Sequence, residues 1–212
     1  STELSKLDTT SEHAKARKTR HMLEGFHGHP DPKALDATWP YLSSEDYHLR
    51  YAARIAIEWQ DPKTWAKKAY SEKNDLGAIH ALLGLARSDL DGSLKPSIKR
   101  LLKVTFENLD KTGKLALIRT YAVTMSRGGK PDAGQIEAIG EQLNPHYPAK
   151  DDNLNEELCR LLCYLQHPSV VKKTVALMQT TKAKVPDFDA EVMKRNKGYG
   201  GKILSSMESN PN

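Results

Sequence analysis

Five prolines constrain this chain more than any other feature. Pro32, Pro62, Pro96, Pro131 and Pro168 stand 30, 34, 35 and 37 residues apart, in "HPDPKAL", "DPKTW", "LKPSIKRLL", "KPDAGQIEAI" and "HPSVVKKTVALM". Proline in the first turn of a helix loses no hydrogen bond, and an Asp just before it caps the free amides. Asp31-Pro32 and Asp61-Pro62 follow that rule. After each proline comes one amphipathic stretch, a polar break, and a second, more apolar stretch. The pairs run 32–42 with 44–59, 62–73 with 75–88, 95–108 with 112–127, 132–143 with 153–166, and 168–181 with a weaker tail. No segment alternates with the period of a strand, so no sheet is expected.

Paired helices recurring every 30 to 37 residues are the mark of an α-solenoid, because one pair cannot bury its apolar stripe and a stack can. A thin, continuous core also suits the 38% hydrophobic and 7% aromatic content. The uneven spacing points to the HEAT-like class, so the expected fold is an all-α, HEAT-like superhelix of four to five helical hairpins. A non-repeating helical bundle is the alternative. The expected organisation is a capping helix in 1–30, repeats over 31–181, and a helical tail over 182–212 that leads into a further region.

The chain has no run of 18 apolar residues, so a membrane-spanning helix is not expected. It opens on Ser1 with no basic-then-apolar leader, which reads as a processed or cut boundary. The two cysteines, Cys159 and Cys163, lie four apart on a helical pattern and read as buried thiols. A net charge of +5 is too small a surplus to argue for nucleic-acid binding by itself.

Chemistry is sparser. "YHLRYAARIAIEWQDP" carries Arg50, Arg54 and Glu58 at four-residue spacing within an apolar helix. The second helix of each pair holds an arginine in apolar surroundings: Arg54, Arg87, Arg119 and Arg160, which fall 22, 25, 23 and 29 residues after their prolines. Second helices line the concave side of a solenoid. An arginine ladder there would fork the carboxylates or phosphates of a partner, or else bridge to acids and carbonyls of the adjacent repeat. The candidate partner-binding residues are Arg50, Arg54, Arg87 and Arg119.

Other groupings read as structural. His27-Gly28-His29 has two imidazoles but lacks further metal ligands, and His80 in "GAIHALLGLA" reads as a hydrogen-bonded histidine at the core edge. "NKGYGGKI" at 196–203 matches no phosphate-loop pattern and follows no strand. Glu156 and Glu157 diverge on one helix, so they make a poor acid/base pair. Basic clusters at Lys15, Arg17, Lys18 and Arg20, at Lys95, Lys99, Arg100 and Lys103, and at Lys194, Arg195 and Lys197 suit a solvated face. Trp39, Trp59 and Trp65 are expected in the core. No catalytic residue, cofactor site or metal site is assigned.

The stretches "GHPDPKALDATWPYLSSEDYHLRYAARIAIEWQDPKTWAKKAY", "ALLGLARSDL", "LNEELCRLLCYLQHPSVVKKTVALM" and "KRNKGYGGKILSSM" resemble a segment of large secreted bacterial multidomain proteins. In that group a dehydrogenase-like β-propeller is followed by HEAT-like repeats and then by a c-type cytochrome (haem-binding) domain. The resemblance spans most of residues 20–207, in helix-packing signatures. It implies a spacer or docking domain of a longer exported polypeptide, periplasmic or extracellular. The chain has no Cys-x-x-Cys-His, so no haem site carries over, and none of the group's catalytic residues maps onto it.

The expected role is therefore non-catalytic: a HEAT-like repeat domain that contacts a protein partner or neighbouring domains of its own polypeptide, within a larger exported redox protein. The alternative is a basic nucleic-acid-binding solenoid, of the kind that includes alkylated-base glycosylases.

Overall fold

A computed structural model describes residues 11–180. Those residues form ten α-helices and no strand. They are α1 (Glu12–Glu24), α2 (Ala34–Thr38), α3 (Tyr47–Glu58), α4 (Pro62–Ser71), α5 (Asp75–Arg87), α6 (Leu94–Leu101), α7 (Lys111–Gly128), α8 (Ala133–Leu143), α9 (Asp152–Tyr164) and α10 (Val170–Thr180). The protein is all-α.

Local chemistry sets most of the starts. Ser11, Asp46, Asp61, Asn74, Asp110, Asp132 and Asp151 each accept a hydrogen bond from a backbone N–H in the first turn of the helix that follows. Such a cap is worth about 1 kcal/mol. Asp132 and Gln135 complete a reciprocal capping box. Two first helices are shorter than their sequence pattern. α2 gives way to a 3₁₀ turn at Trp39–Ser43, where Pro40 has no N–H to donate, and α6 stops at Leu101, ahead of a short 3₁₀ turn at Phe106–Asn108.

By its contacts the chain divides into two units, residues 1–171 and 172–212. In the first, α3, α5, α7 and α9 pack one against the next, while α2, α4, α6 and α8 each pack on the helix that follows them. α1 covers α3. α5 is buried from Gly77 through Ala86, so it is apolar all round and lies at the centre of the core. Gly84 lets α3 come close: a Cβ there would meet Glu58 Cγ and Ile57 Cδ1 at 3.4 Å. Val170 belongs to the same core. In the second unit the structure describes residues 172–180, the body of α10, where Val175 and Met178 are exposed.

Three readings need correction. Trp39 and Trp65 pack edge to face in the core, but Trp59 is 50% exposed, because it sits at the C-terminal cap of α3, beyond the last turn that the neighbouring helices cover. Cys163 is exposed and Cys159 only half-buried, since Leu158, Leu161 and Leu162 take the buried side of α9. His80 is buried, but its ring is not hydrogen-bonded. The glycine-rich stretch 196–203, the basic cluster Lys194, Arg195 and Lys197, and the tail 182–212 lie outside the described residues.

Candidate functional site

Helices α3, α5 and α7 meet around a pocket of about 290 Å³. α3 supplies Tyr47, Arg50, Tyr51 and Arg54, α5 supplies His80 and Leu83, and α7 supplies Thr112, Leu115, Ala116 and Arg119. The i, i+3, i+4 and i+7 spacing of the α3 residues puts all four on one face, which is why one short motif furnishes nearly half of the lining.

The arginines differ in state. Arg50 is only 5% exposed. Its Nη1 donates to the carbonyls of Ser44 (2.6 Å) and Glu45 (2.8 Å), tying the loop before α3 to the helix, while its buried Nε has no partner. Arg54, 8% exposed, pairs with Glu58 one turn on, and its guanidinium lies 5.0 Å from the centre of the Tyr51 ring. Glu58 also accepts from Arg87 Nε at 3.0 Å, so one carboxylate ties α3 to α5. The hydrogen bond to Glu58 holds the Arg87 guanidinium pKa above its ordinary value. Arg119 is exposed at the rim and makes no hydrogen bond or ion pair with any described residue. Arg160 is elsewhere, on α9, bonded to Glu156 (2.5 Å) and Glu157 (2.9 Å) of its own helix. The structure thus gathers Arg50, Arg54 and Arg119 in one pocket, places Arg87 beside it through Glu58, and leaves Arg160 out.

His80 is the unusual member. It is 7% exposed, lines the pocket, and neither ring nitrogen has a hydrogen-bond partner. Burial, with the charges of Arg50 and Arg54 beside it, pushes its pKa down to about 4, so the ring is neutral at pH 7. A neutral imidazole carries one N–H donor and one acceptor lone pair, both unused here. Tyr47 and Tyr51, 59% and 47% exposed, stack at 6.2 Å on the pocket wall.

Two carboxylates moderate the charge. Glu58 answers Arg54 and Arg87. Asp110, the cap of α7, accepts from Gly113 N–H (2.7 Å) and the Thr112 hydroxyl (2.8 Å); these bonds, helped by Arg50 and Lys114, hold its pKa below the usual carboxylate range. Four guanidiniums against two carboxylates leave the pocket positive. It can therefore hold an anion, and its apolar wall of Leu83, Leu115 and Ala116 can hold a hydrocarbon group beside that anion.

Of the residues around this pocket, the sequence pattern singled out the arginines but not Tyr47 or Tyr51, and it read His80 as hydrogen-bonded. The four-residue spacing of Tyr47 and Tyr51 was a usable signal; the unpartnered state of His80 has none in sequence. A larger hollow, about 760 Å³ between the start of α8 and the end of α9, contains none of the unpartnered buried polar atoms found among the described residues. Around His27, Nε2 donates to the carbonyl of Ala52 at 2.8 Å, and no group of three His, Cys, Asp or Glu residues suited to a metal occurs among the described residues. Among them, too, no helix is long and apolar enough to cross a membrane. Comparison with family models, with curated proteins and with solved structures finds no match for the chain.

Proposed function

We propose that this chain is a non-catalytic HEAT-like repeat domain, which presents the face of α3, α5 and α7 to a protein partner or to a neighbouring domain of the same polypeptide. The parent would be a larger exported redox protein of the kind the sequence resembles. Serial packing of the second helices, with first helices covering them, supports the repeat reading. One observation carries the docking reading: exposed aromatic and cationic side chains (Tyr47, Tyr51, Arg119) surround a pocket in which both His80 nitrogens and Arg50 Nε are unsatisfied. Aromatics and arginine are the residue types that dominate binding energy at protein interfaces.

The same face argues for binding over catalysis. The Thr112 hydroxyl is committed to Asp110, and an imidazole with a pKa near 4 is a weak general base at neutral pH.

The test is site-specific photo-crosslinking in the source cell, with the probe at Tyr47 or, on the exposed surface of α4, at Lys67. Adducts from position 47 alone, within one polypeptide or to one partner, are the expected result. Equal labelling from both positions would remove the docking reading. Immunoblotting of cell fractions with a peroxidase stain for covalent haem tests the parent: a band far above 23.7 kDa, exported and haem-positive, is expected. A soluble band near that mass without haem would sink the redox-protein reading. Steep salt dependence of duplex binding would favour the nucleic-acid alternative.

A further inference from the structure

The unused hydrogen-bonding capacity of the pocket narrows what can occupy it. A buried polar group without a partner costs about 1–3 kcal/mol, and a ligand that satisfies it recovers that cost on binding. Here the unpartnered atoms are both nitrogens of His80 and Nε of Arg50, and the rim adds the whole guanidinium fork of Arg119. Arg50 Nε and the Arg119 fork can only donate, and the net charge is positive, so the complementary group is an oxyanion. The remaining wall is hydrocarbon: Leu83, Leu115, Ala116 and the faces of Tyr47 and Tyr51. A highly hydrated inorganic anion would leave that wall unfilled. A carboxylate with an apolar side chain next to it fills both halves.

We infer that the pocket between α3, α5 and α7 binds a peptide carboxylate that has an apolar side chain beside it. This rests on the docking reading above and names what that face recognises. In the complex, Arg119 forks the carboxylate, small side-chain shifts bring it within reach of one His80 nitrogen and Arg50 Nε, which the unliganded protein shields from solvent, and the apolar neighbour packs against Tyr51 and Leu115. Glu58 stays with Arg54 and Arg87 and takes no part. The carboxylate has two possible sources, an acidic side chain or a chain terminus, and both present the same group.

The experiment is titration of the full chain with four probes, read by the ring ¹H–¹⁵N resonances of His80 and by fluorescence anisotropy of labelled peptide. The probes are acetyl-Leu-Asp-Leu-amide, its Asn counterpart, acetyl-Leu-Leu with a free carboxyl terminus, and inorganic phosphate. The expected result is saturable movement of the His80 resonances by the Asp peptide, the free-terminus peptide, or both. The tighter of the two identifies the source. The Asn peptide should bind at least tenfold more weakly. Arg119→Ala should weaken carboxylate binding at least tenfold and leave the melting temperature unchanged, since Arg119 has no partner to lose among the described residues. Equal binding of the Asp and Asn peptides together with no tighter binding of the free-terminus peptide would overturn the inference, as would phosphate binding tighter than either carboxylate. The two proposals fail separately. Cross-links from position 47 with neither Asp over Asn discrimination nor binding of the free-terminus peptide would leave the docking face standing and remove the carboxylate. Carboxylate discrimination with cross-links from Lys67 alone would do the reverse.

Discussion

Arg50 and Arg119 are the same residue type in the same pocket, yet their removal should read very differently. Arg50→Ala takes away two hydrogen bonds to loop carbonyls and leaves both acceptors unmet, at about 2–3 kcal/mol for a charge-assisted pair. Arg119→Ala removes nothing the fold uses. A urea titration of the two variants checks the contrast, and equal destabilisation would contradict it. Arg87 falls between: its side chain is 42% exposed, so the bond to Glu58 is worth about 1 kcal/mol or less, and Arg87→Ala with Arg119→Ala should lower the melting temperature only slightly while weakening partner binding. His80 gives a pH signature. The unfolded histidine takes up its proton near 6.5 and the folded one near 4, so the folded state binds fewer protons between those values. The stability contributed by neutral, buried His80 is therefore complete above pH 6.5 and is lost as pH falls toward 4, to a total of about 3 kcal/mol. His80→Phe should remove that part of the slope when unfolding free energy is measured between pH 7 and pH 4. A slope unchanged in the variant would show that other groups carry it.

At the scale of elements, long polar side chains act as ties. Arg100 of α6 is buried and donates from Nε to the carbonyl of Glu72 (2.8 Å) and from Nη2 to Asp75 (2.9 Å), which joins it to the break between α4 and α5. This is also why the basic run Lys95, Lys99, Arg100 and Lys103 is not one solvated face. Gln142 of α8 donates to the carbonyls of Leu101 (3.3 Å) and Val104 (2.9 Å) and accepts from the buried hydroxyl of Tyr121 (2.7 Å). Gln142→Ala should cost about 2–3 kcal/mol, because it leaves the Tyr121 hydroxyl without its partner inside the core. Double-mutant cycles with Tyr121→Phe should recover much of that loss, and strict additivity of the two would disprove the coupling. The helices themselves were legible in sequence, since caps such as Asp61 and Asp132 act within one turn. The ties were not: nothing near Gln142 or Arg100 in the chain marks which distant carbonyl each will reach. The pocket was half legible for the same reason. Arginines at a repeating offset are visible in one dimension, whereas the separation of Arg119 from self-paired Arg160 depends partly on neighbours in space. Only Glu156 and Glu157, four and three residues before Arg160, announced that pairing.

For the first unit as a whole, stability should be graded around α5. That helix is buried from Gly77 to Ala86 and packs against α3, α4, α6 and α7, whereas α8 buries only Ile139, Gly140 and Leu143. Amides of α5 should exchange through global unfolding and those of α8 through a smaller opening, so that hydrogen exchange under native conditions separates them by at least tenfold. Indistinguishable rates would mean that the unit opens as one block. The polar ties carry a further consequence, for how the chain acquires its structure. Gln142 reaches back 41 residues to Leu101, Thr120 reaches back 41 to Ile79, and Arg100 reaches back 28 to Glu72. Each of these joints can close as soon as some forty residues have emerged, with no need to wait for a distant strand or terminus. Such a chain can fold progressively from its N-terminal end while the rest is still being synthesised, each completed pair serving as the template for the next.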